Sequence, residues 1–476
     1  LTGDLVKRRD PKIYSIRRGS LTGILTRKFM LSRKGTFVGI LLSLSIGSII
    51  FLGAFYVTEN TKIHNELTFK ADDGLGSDIQ VYIQSGQLTD VIPESAVQAM
   101  QNLSGIREFH PVRYLLGELA LKDGTFLWPE YFAETADIEG FLPDPELMEN
   151  YNGLAVRTGE EDYALKVNIY GYDDAMLESL NDYLLEGEIR PDQMRKENSV
   201  ILKTLMDGQG NYDGVCVAPG DAVELTTVSS SEVPQEALRF QGESGWYQSA
   251  SLPVAAVVSR PLAKVNTYIG DEGTTVIDII MTNEQMEQNF GVKDYQTISI
   301  SADPGIGAEA VSPELGKLAK NISRCVVKDY SEQIRQQNLY LYQKMFFYYG
   351  IAAVLLGISL LHIMNSMQYL VAARKREFGI LRAMGITDAG FKRMLAKEGL
   401  CYGIYSGVTV LVIYFVVQKI LYYFLVHVYL YLHPGAFVSG AALGGILLLN
   451  VGICVGVTLL SGRAVLREGI VEEIQE

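Results

Sequence analysis

The chain has 476 residues, of which 48% are hydrophobic and 20% are charged, and its formal net charge is −14. This composition excludes a disordered chain, a collagen-like repeat and a basic nucleic-acid-binding protein. The charge is distributed unevenly. Residues 1–36 hold ten Lys/Arg and two Asp/Glu, residues 58–344 hold 21 and 46, and residues 374–398 hold seven and three. Long uncharged stretches separate these blocks, so the sequence predicts a membrane protein.

Four uncharged stretches are long enough to cross a membrane as helices. They cover residues 37–57, 345–373, 399–418 and 436–462. A membrane-spanning helix needs about 20 apolar residues, because each residue advances the helix by about 1.5 Å. The sequence therefore predicts four transmembrane helices.

The end of the third stretch allows two interpretations. Lys419 follows it, and the next residues continue apolar and aromatic as far as His433-Pro434-Gly435. A lysine at the centre of a membrane helix costs about 2.5–3.5 kcal/mol, so Lys419 is expected near a membrane surface. Residues 420–435 are then either an interfacial segment at the outer face or the continuation of a longer, tilted third helix.

The placement of Lys and Arg predicts the orientation in the cell membrane. Basic segments remain in the cytoplasm, which places both termini and residues 374–398 inside and the acidic residues 58–335 outside. The first span begins 36 residues into the chain and exceeds the usual apolar core of a signal peptide, so we expect it to be retained. Because the chain begins with Leu1, residues 1–36 are expected to lie within a longer gene product.

The acidic block is large enough for one or two folded domains. Alternating residues at 78–83 and 297–301 predict strands, and residues 94–102 and 174–185 predict helices, so we expect an extracytoplasmic α+β domain. Its negative charge either provides solubility or attracts cationic ligands. Cys216 and Cys325 lie in this block, where they are either free or joined in a disulfide.

No catalytic or cofactor-binding motif is present in the sequence. The chain lacks a GxxxxGK[ST] phosphate loop, an HExxH motif, a CxxC motif and an EF-hand loop. We therefore expect no enzymatic activity, cofactor or metal site.

The most specific pattern lies in residues 365–385. Asn365-Ser366-Met367 is followed, after six residues, by the twelve residues Arg374-Lys375-Arg376-Glu377-Phe378-Gly379-Ile380-Leu381-Arg382-Ala383-Met384-Gly385. The two glycines bracket a short apolar and basic turn, and we expect Gly379 to bend the chain between Glu377 and Arg382. The sequence thus predicts either a compact knob beneath the membrane or an ordinary basic loop.

This pattern closely resembles the cytoplasmic loop of the FtsX-like (MacB-type) permeases of ABC transporters. Every position of that family's motif is filled here, and Glu398 matches a glutamate at the start of the next helix. The order of elements is also similar: a basic segment, one span, a large outer domain and three spans. The C-terminal tail resembles that of Gram-positive members, and residues 1–36 resemble the linker after a first permease unit in double-unit members.

The resemblance implies a permease subunit that couples ATP hydrolysis on a separate ABC-type ATPase to an extracytoplasmic domain. Export, extraction or mechanotransmission of a lipid, lipoprotein or peptide would result. The alternative is a regulatory membrane protein that controls a cell-wall hydrolase or senses a ligand without transport. The implied partners are the ATPase, membrane lipids, a second permease unit (the missing half of this chain or a second copy) and an unidentified outer ligand, with no nucleic acid.

The resemblance also implies which residues couple the permease to its ATPase. Ile380, Leu381 and Met384 would form an apolar plug, three arginines would face the ATPase, and Glu377 would organise the knob. The complete set is Arg374, Arg376, Glu377, Gly379, Ile380, Leu381, Arg382, Met384, Gly385 and Glu398.

Small and polar residues mark the predicted spans. Three GxxxG pairs favour close helix packing, and three polar side chains suit either interhelical hydrogen bonds or a substrate path. The pairs are Gly403 with Gly407, Gly440 with Gly444, and Gly452 with Gly456, and the polar residues are His362, Asn365 and Asn450.

The predicted organisation follows from these patterns. Its segments are a basic linker and interfacial helix (1–36), the first span (37–57), the MacB-like α+β domain (58–335), a stalk and second span (336–373), the coupling loop (374–398), the third span with the outer segment (399–435), the fourth span (436–462) and a cytoplasmic tail (463–476).

Overall fold

The computed structural model describes residues 34–72, 77–85, 87–122, 124–127, 155–157, 162–205, 214–240, 242–262 and 277–467. Its helices are α1 (Lys34–Asp72), α2 (Glu94–Gln101), α3 (Asp174–Ser179), α4 (Pro191–Glu197), α5 (Asn283–Phe290), α6 (Ala308–Ala319), α7 (Ser331–Ala372), α8 (Lys375–Ala383), α9 (Asp388–His427) and α10 (Gly440–Arg467). Its strands are β1 (Ile79–Ile83), β2 (Ile106–Leu121), β3 (Ala155–Arg157), β4 (Tyr163–Tyr172), β5 (Leu184–Gly187), β6 (Val200–Lys203), β7 (Ala222–Val228), β8 (Tyr247–Val258), β9 (Ile277–Thr282), β10 (Thr297–Ala302) and β11 (Cys325–Asp329).

The chain divides into two compact units. One, the helical region, comprises residues Leu1–Lys62 and Gln343–Glu476, and the other, the central domain, comprises residues Ile63–Tyr342. Two helices continue from one unit into the other, since α1 extends to Asp72 and α7 begins at Ser331. These two helices are the chain connections through which the units are joined.

The helical region contains four helices that are long and apolar enough to cross a membrane. They are α1, α7, α9 and α10, which confirms the four apolar helices predicted from the sequence. α9 continues through Lys419 to His427, so residues 420–427 extend the third helix and are not a separate interfacial segment. α9 also begins at Asp388, inside the predicted coupling loop, because Thr387 caps its first turn by accepting a hydrogen bond from the Gly390 amide at 3.1 Å.

Six strands of the central domain pair in a closed ring, in the order β2, β7, β8, β6, β9, β4 and back to β2. Its pairs are antiparallel except β4–β9 and β6–β8. Alternate side chains from these strands fill one apolar cluster that includes Leu119, Ile169, Leu202, Leu225 and Ile279. In a closed ring each strand pairs with a neighbour on both sides, so few backbone N–H and C=O groups around this core are left unpaired.

The long strand β2 also belongs to a second layer of the central domain. Its first half pairs with β10, and β10, β1 and β11 complete an antiparallel sheet. Helices α2 and α6 pack on this sheet around Ile79, Val97, Ile300 and Leu315. Because helices and mostly antiparallel strands combine here, the central domain is α+β, as predicted.

Several local predictions in the central domain can be compared with the structure. The strands at 79–83 and 297–302 and the helix at 94–101 are present as expected. The predicted helix at 174–185 ends earlier, because α3 passes into a short 3-10 turn and residues 184–187 form strand β5 on β8. Cys216 and Cys325 are both free thiols, so the structure contains no disulfide between them. Residues 1–33 and 468–476, which include most of the predicted linker and tail, lie outside the described residues.

Candidate functional site

The residues of the family-like motif form a short helix, α8, between α7 and α9. Arg374 precedes its first turn, and Gly385 follows its last turn with a φ of +95°. A positive φ of this size is accessible to glycine without steric strain, so Gly385 ends the helix and lets the chain turn into α9. We call residues 373–387 the α7–α9 link.

One face of α8 is buried in an apolar cluster. Phe378 and Leu381 are 0% and 9% exposed, and they pack with Val371 of α7 and with three side chains of α9. The rings of Phe378 and Phe391 meet edge to face with centroids 5.2 Å apart. Burying a phenylalanine or leucine side chain stabilises a fold by about 1.5–3 kcal/mol, so this cluster fixes α8 against the ends of both long helices. The α9 residues are Phe391, Met394 and Leu395.

Two expectations about this segment are wrong. Gly379 does not bend the chain, because it lies inside α8 on the buried side of the helix. Leu381 was expected to form an apolar plug for the ATPase with Ile380 and Met384, but its side chain is buried in the supporting cluster. Both corrections have one cause. The segment is helical from Lys375, and the period of 3.6 residues carries positions 378 and 381 to the same inner face.

The opposite face of α8 is exposed. Arg376, Ile380, Ala383 and Met384 are spaced by four, three and one residues, which places them on one side of a helix. The side chains of Ile380 and Met384 are 46% and 71% exposed. α8 therefore presents two apolar side chains beside a guanidinium group on a surface that its own fold does not cover. Arg382, six residues after Arg376, lies on the other side of the helix and is partly buried.

A buried ion pair joins the start of α8 to α9. The Arg374 guanidinium donates through Nη1 to Glu398 and through Nε to Glu377, the latter at 3.1 Å, and its Cζ lies 4.9 Å from the Phe378 ring centre. Glu398 is only 4% exposed. A charge removed from water requires a partner, so Arg374 is committed to these carboxylates instead of facing an external surface as expected. Glu377 and Glu398 are the groups that hold it.

The first predicted glycine pair, in α9, packs closely as expected. A Cβ on Gly403 would lie 2.7 Å from the Cα of Val451, and a Cβ on Gly407 would lie 3.4 Å from the Leu447 side chain, so this pair packs against α10. Gly399, one turn earlier, approaches the backbone of α10 in the same way.

The two predicted glycine pairs in α10 do not pack in this way, which corrects the sequence-based expectation. Among the described residues, no atom lies within 4 Å of a Cβ built on Gly440, on Gly444, on Gly452 or on Gly456. Gly444 and Gly456 therefore do not act as helix-packing residues within the described chain, and neither do their partners Gly440 and Gly452. Gly452 lies about 100° and Gly456 about 140° around α10 from Val451, which faces Gly403 of α9, so the helical period turns this last pair away from α9.

The three polar residues predicted within the long helices differ in their surroundings. Asn450 of α10 is 2% exposed and exchanges hydrogen bonds with the Ser48 hydroxyl of α1, the shorter at 2.9 Å. This contact is an interhelical hydrogen bond, one of the two roles considered for Asn450. His362 and Asn365 lie instead on the exposed side of α7.

The central domain holds charged groups in its sheet. Glu118 and Lys166 face each other across the β2–β4 pair, and burial raises the pKa of the Glu118 carboxyl to about 7, with the attraction of Lys166 only partly opposing the shift. Burial likewise lowers the pKa of Lys166. Elsewhere, Asn168 donates to Asp278 at 2.8 Å and accepts from the Tyr114 hydroxyl at 2.9 Å. Among the described residues no cluster of three or more His, Cys, Asp or Glu side chains could hold a metal ion.

Sequence reasoning missed Phe378, Phe391 and the interaction of Arg374 with Glu398. A helical period would have paired Phe378 with Leu381, because residues three apart share a helix face. The ion pair spans 24 positions, and no local pattern marks which arginine of a basic run reaches across that distance.

A family model of known proteins matches the part of the chain that contains the last three long apolar helices. Residues 349–470 match the family model described as FtsX-like permease C-terminal, a range that includes most of α7, all of α8 and α9, and α10. No curated protein sequence gives a significant match.

Two solved structures are similar to part of the chain. One is the periplasmic region of MacB from Actinobacillus actinomycetemcomitans, with 11% identity, a TM-score of 0.30 and coverage of 55% of this chain and 93% of that one. The other is the extracellular domain of the noncanonic ABC-type transporter YknZ from Gram-positive bacteria, with 10% identity, a TM-score of 0.29 and coverage of 53% and 99%.

Proposed function

Because residues 349–470 match the family model described as FtsX-like permease C-terminal, we propose that this chain is the membrane subunit of an ABC transporter complex. A separate ATPase subunit binds the exposed face of α8 from the cytoplasm. ATP hydrolysis on that subunit moves α8, and the long helices pass the motion to the central domain outside the cell. The moved cargo or partner is a lipid, lipoprotein or peptide.

The observation that carries this proposal is the two-sided construction of α8. Its inner face is fixed by Phe378 and Leu381, while Ile380 and Met384 remain exposed on its outer face. Exposed apolar side chains beside charged ones are typical of a surface that another protein covers. A face of this kind on an otherwise anchored helix favours docking over a purely topological role for the basic loop.

The anchoring of α8 supports transmission of force as well as docking. Its apolar cluster includes side chains from α7 and α9, and the Arg374–Glu398 pair adds a second contact with α9. Close packing resists deformation, so displacement of α8 displaces both helix ends with it. α7 then continues without a break to Ser331 in the central domain.

The test replaces single side chains on the exposed face. We expect Ile380→Asp and Met384→Asp each to reduce copurification of the ABC ATPase with the tagged chain by at least about tenfold, because a charge in a desolvated interface costs more than about 1.4 kcal/mol. Leu185→Asp is the matched control, since Leu185 is similarly exposed, at 43%, but lies in the central domain. Membrane insertion and yield are measured for all three variants.

Full ATPase association by both α8 variants would contradict the proposal, as would loss of association in Leu185→Asp. Leu381→Asp is unsuitable for this test, because Leu381 supports the fold of α8 and its loss would remove the docking face indirectly.

A regulatory role without transport would use the same docking face. The two roles differ in the consequence of ATP hydrolysis, which is either movement of a bound substrate or only a change in an outer partner. The two roles are separated by reconstituting the complex in vesicles. The measurement is the ATP-dependent movement of candidate lipids and peptides across or out of the membrane.

A further inference from the structure

The segment that joins α9 to α10, residues 428–439, is held to α1 by a set of polar contacts. We call it the α9–α10 link. It has no regular secondary structure, and two of its residues, Leu430 and His433, have positive φ angles of 50° and 42°. A non-glycine residue in this conformation is disfavoured, so outside contacts must determine the path of the link.

Those contacts centre on Gly435. The Tyr56 hydroxyl of α1 donates to the Gly435 carbonyl at 2.7 Å, and the Gly435 amide donates to Asn60 Oδ1 at 2.6 Å. Tyr56 and Asn60 are four residues apart and therefore adjacent on one face of α1. One turn of α1 thus satisfies both backbone polar groups of a single residue in the link.

Two further contacts extend this arrangement. Gln418 of α9 donates through Nε2 to the Ala436 carbonyl at 2.5 Å, and the hydroxyls of Thr61 and Tyr431 lie 3.0 Å apart. The anchoring side chains are almost fully buried, with Tyr56, Asn60 and Gln418 exposed by 1%, 4% and 5%. A buried polar side chain that loses its hydrogen-bond partner destabilises the fold, so these contacts hold the link in one position.

The same turn of α1 also contacts α7. The Tyr349 hydroxyl donates to the Glu59 carboxylate, which lies between Tyr56 and Asn60 in the sequence. Residues 56–61 therefore contact the α9–α10 link on one side and α7 on another. Beyond them α1 continues to Asp72, and in the central domain the Tyr183 hydroxyl donates to the Leu67 carbonyl at 2.6 Å.

These contacts matter because α1 has no direct chain connection to α8. Of the two helices that continue into the central domain, α7 runs directly into the α7–α9 link, whereas α1 is distant in sequence from it. Within the helical region, motion of α8 reaches α1 through noncovalent contacts with the other helices.

We propose that Tyr56, Asn60 and Gln418 form a clamp that positions α1 for energy coupling, so that α1 moves together with α9 and α10 where it leaves the helical region. This inference rests on the proposed function. The three side chains are positioning residues, and the clamp stays closed throughout the ATPase cycle. Without it, α1 keeps its earlier contacts with α9 and α10, such as that of Ser48 with Asn450, but its exit from the helical region is no longer held to them.

A matched contact elsewhere in α1 provides the control. Ser48 and Asn450 also join α1 to α10 by a buried hydrogen bond, but eight residues before Tyr56 and away from the α9–α10 link. Removing the Ser48 hydroxyl takes away a buried interhelical hydrogen bond without loosening the link. A purely structural effect would therefore appear equally in both kinds of variant.

The experiment uses the full chain with its ATPase in lipid nanodiscs and measures hydrogen–deuterium exchange of residues 63–72 with and without ATP. We expect ATP to change exchange in the parent protein. In Asn60→Ala and in Tyr56→Phe combined with Gln418→Ala, we expect that change to fall at least threefold, with ATPase association retained. Ser48→Ala should keep the full change.

If ATP changes the exchange of both clamp variants as much as that of the parent protein, the clamp is overturned and the proposed function stands. An equal loss in Ser48→Ala would also overturn it, because general destabilisation would then explain the result. If the parent chain binds no ATPase, the proposed function fails and the clamp fails with it. A parental response lost only in the clamp variants supports the inference.

Discussion

The two links at opposite ends of α9 are built in different ways. The α7–α9 link folds as a helix on an apolar cluster and leaves Ile380 and Met384 exposed. The α9–α10 link is irregular, and buried polar side chains of α1 and α9 hold its backbone at Gly435 and Ala436. The first can present a surface to another protein, whereas the second fixes its own position within the chain.

The difference shows that the same bundle contains one connection that keeps a face free and one that fixes the position of a single residue. Apolar contact is non-directional and grows with buried area, so it supports a rigid element that keeps one face free. Hydrogen bonds to a backbone amide and carbonyl are directional, so two of them fix the location of one residue. Substitutions in the α7–α9 link, where α9 packs on α10, and in the central domain test this contrast. Their expected effects on stability decrease in that order.

The largest effect is expected from removing the centre of the apolar cluster. Phe378→Ala should destabilise the α7–α9 link by about 3–5 kcal/mol, because it deletes a fully buried ring and leaves a cavity. We expect trypsin to cleave at the basic residues of 374–393 at least about 100-fold faster than in the parent, in proportion to the population of the opened link. Phe415→Ala is the control, since Phe415 is 49% exposed on α9. Equal cleavage in parent and Phe378→Ala proteins would show that the cluster does not support α8.

An intermediate effect is expected where α9 packs on α10 between the two links. Gly403→Ala should destabilise the helical region by about 1–3 kcal/mol, because the new methyl group would lie 2.7 Å from the Val451 Cα. Gly452→Ala should instead be neutral or stabilising by up to about 1 kcal/mol, since its position is open and alanine favours a helix. Thermal unfolding of both variants in one detergent measures the difference, and a shift of the same sign in both would contradict it.

The smallest effect is expected when the pH is varied. Glu118 of the central domain titrates, whereas the groups that anchor the α9–α10 link are neutral. Burial raises the pKa of Glu118 to about 7, so between its unfolded pKa of 4.5 and this value the folded chain binds more protons than the unfolded chain. Stability therefore falls as pH rises through that window, by about 1–2 kcal/mol after allowance for partial exposure. We expect the unfolding temperature measured by intrinsic tryptophan fluorescence to fall by a few degrees between pH 5 and 8.

The matched variant for this titration is Glu118→Gln, in which that pH dependence should be reduced. Exchange protection at Gly435 should stay constant over the same range, because its partners are the Tyr56 hydroxyl and the Asn60 amide. An unchanged pH profile in Glu118→Gln would mean that another group carries the effect.

Much of this architecture follows from local sequence. The four long helices arise from uncharged runs that exceed the membrane thickness, and the strands at 79–83 and 297–302 arise from period-two alternation. The motif at 374–385 predicted either a compact knob or an ordinary basic loop, and the structure has the short helix α8 at this position. These features depend on residues close together in the chain, so the pattern alone was sufficient.

Other features could only come from the tertiary structure. Which of Ile380, Leu381 and Met384 are exposed depends on where α8 lies against α7 and α9, and the sequence treated the three as equivalent. Arg374 reaches Glu398 instead of a partner surface.

The glycines of the long helices and the clamp make the same point. Three GxxxG pairs look alike in sequence, yet Gly403 packs closely while Gly444 and Gly456 face open space. The clamp joins residues of α1 to Gly435, more than 350 positions away. Such choices are made by packing and by the requirement that buried polar groups find partners, which no short stretch of sequence encodes.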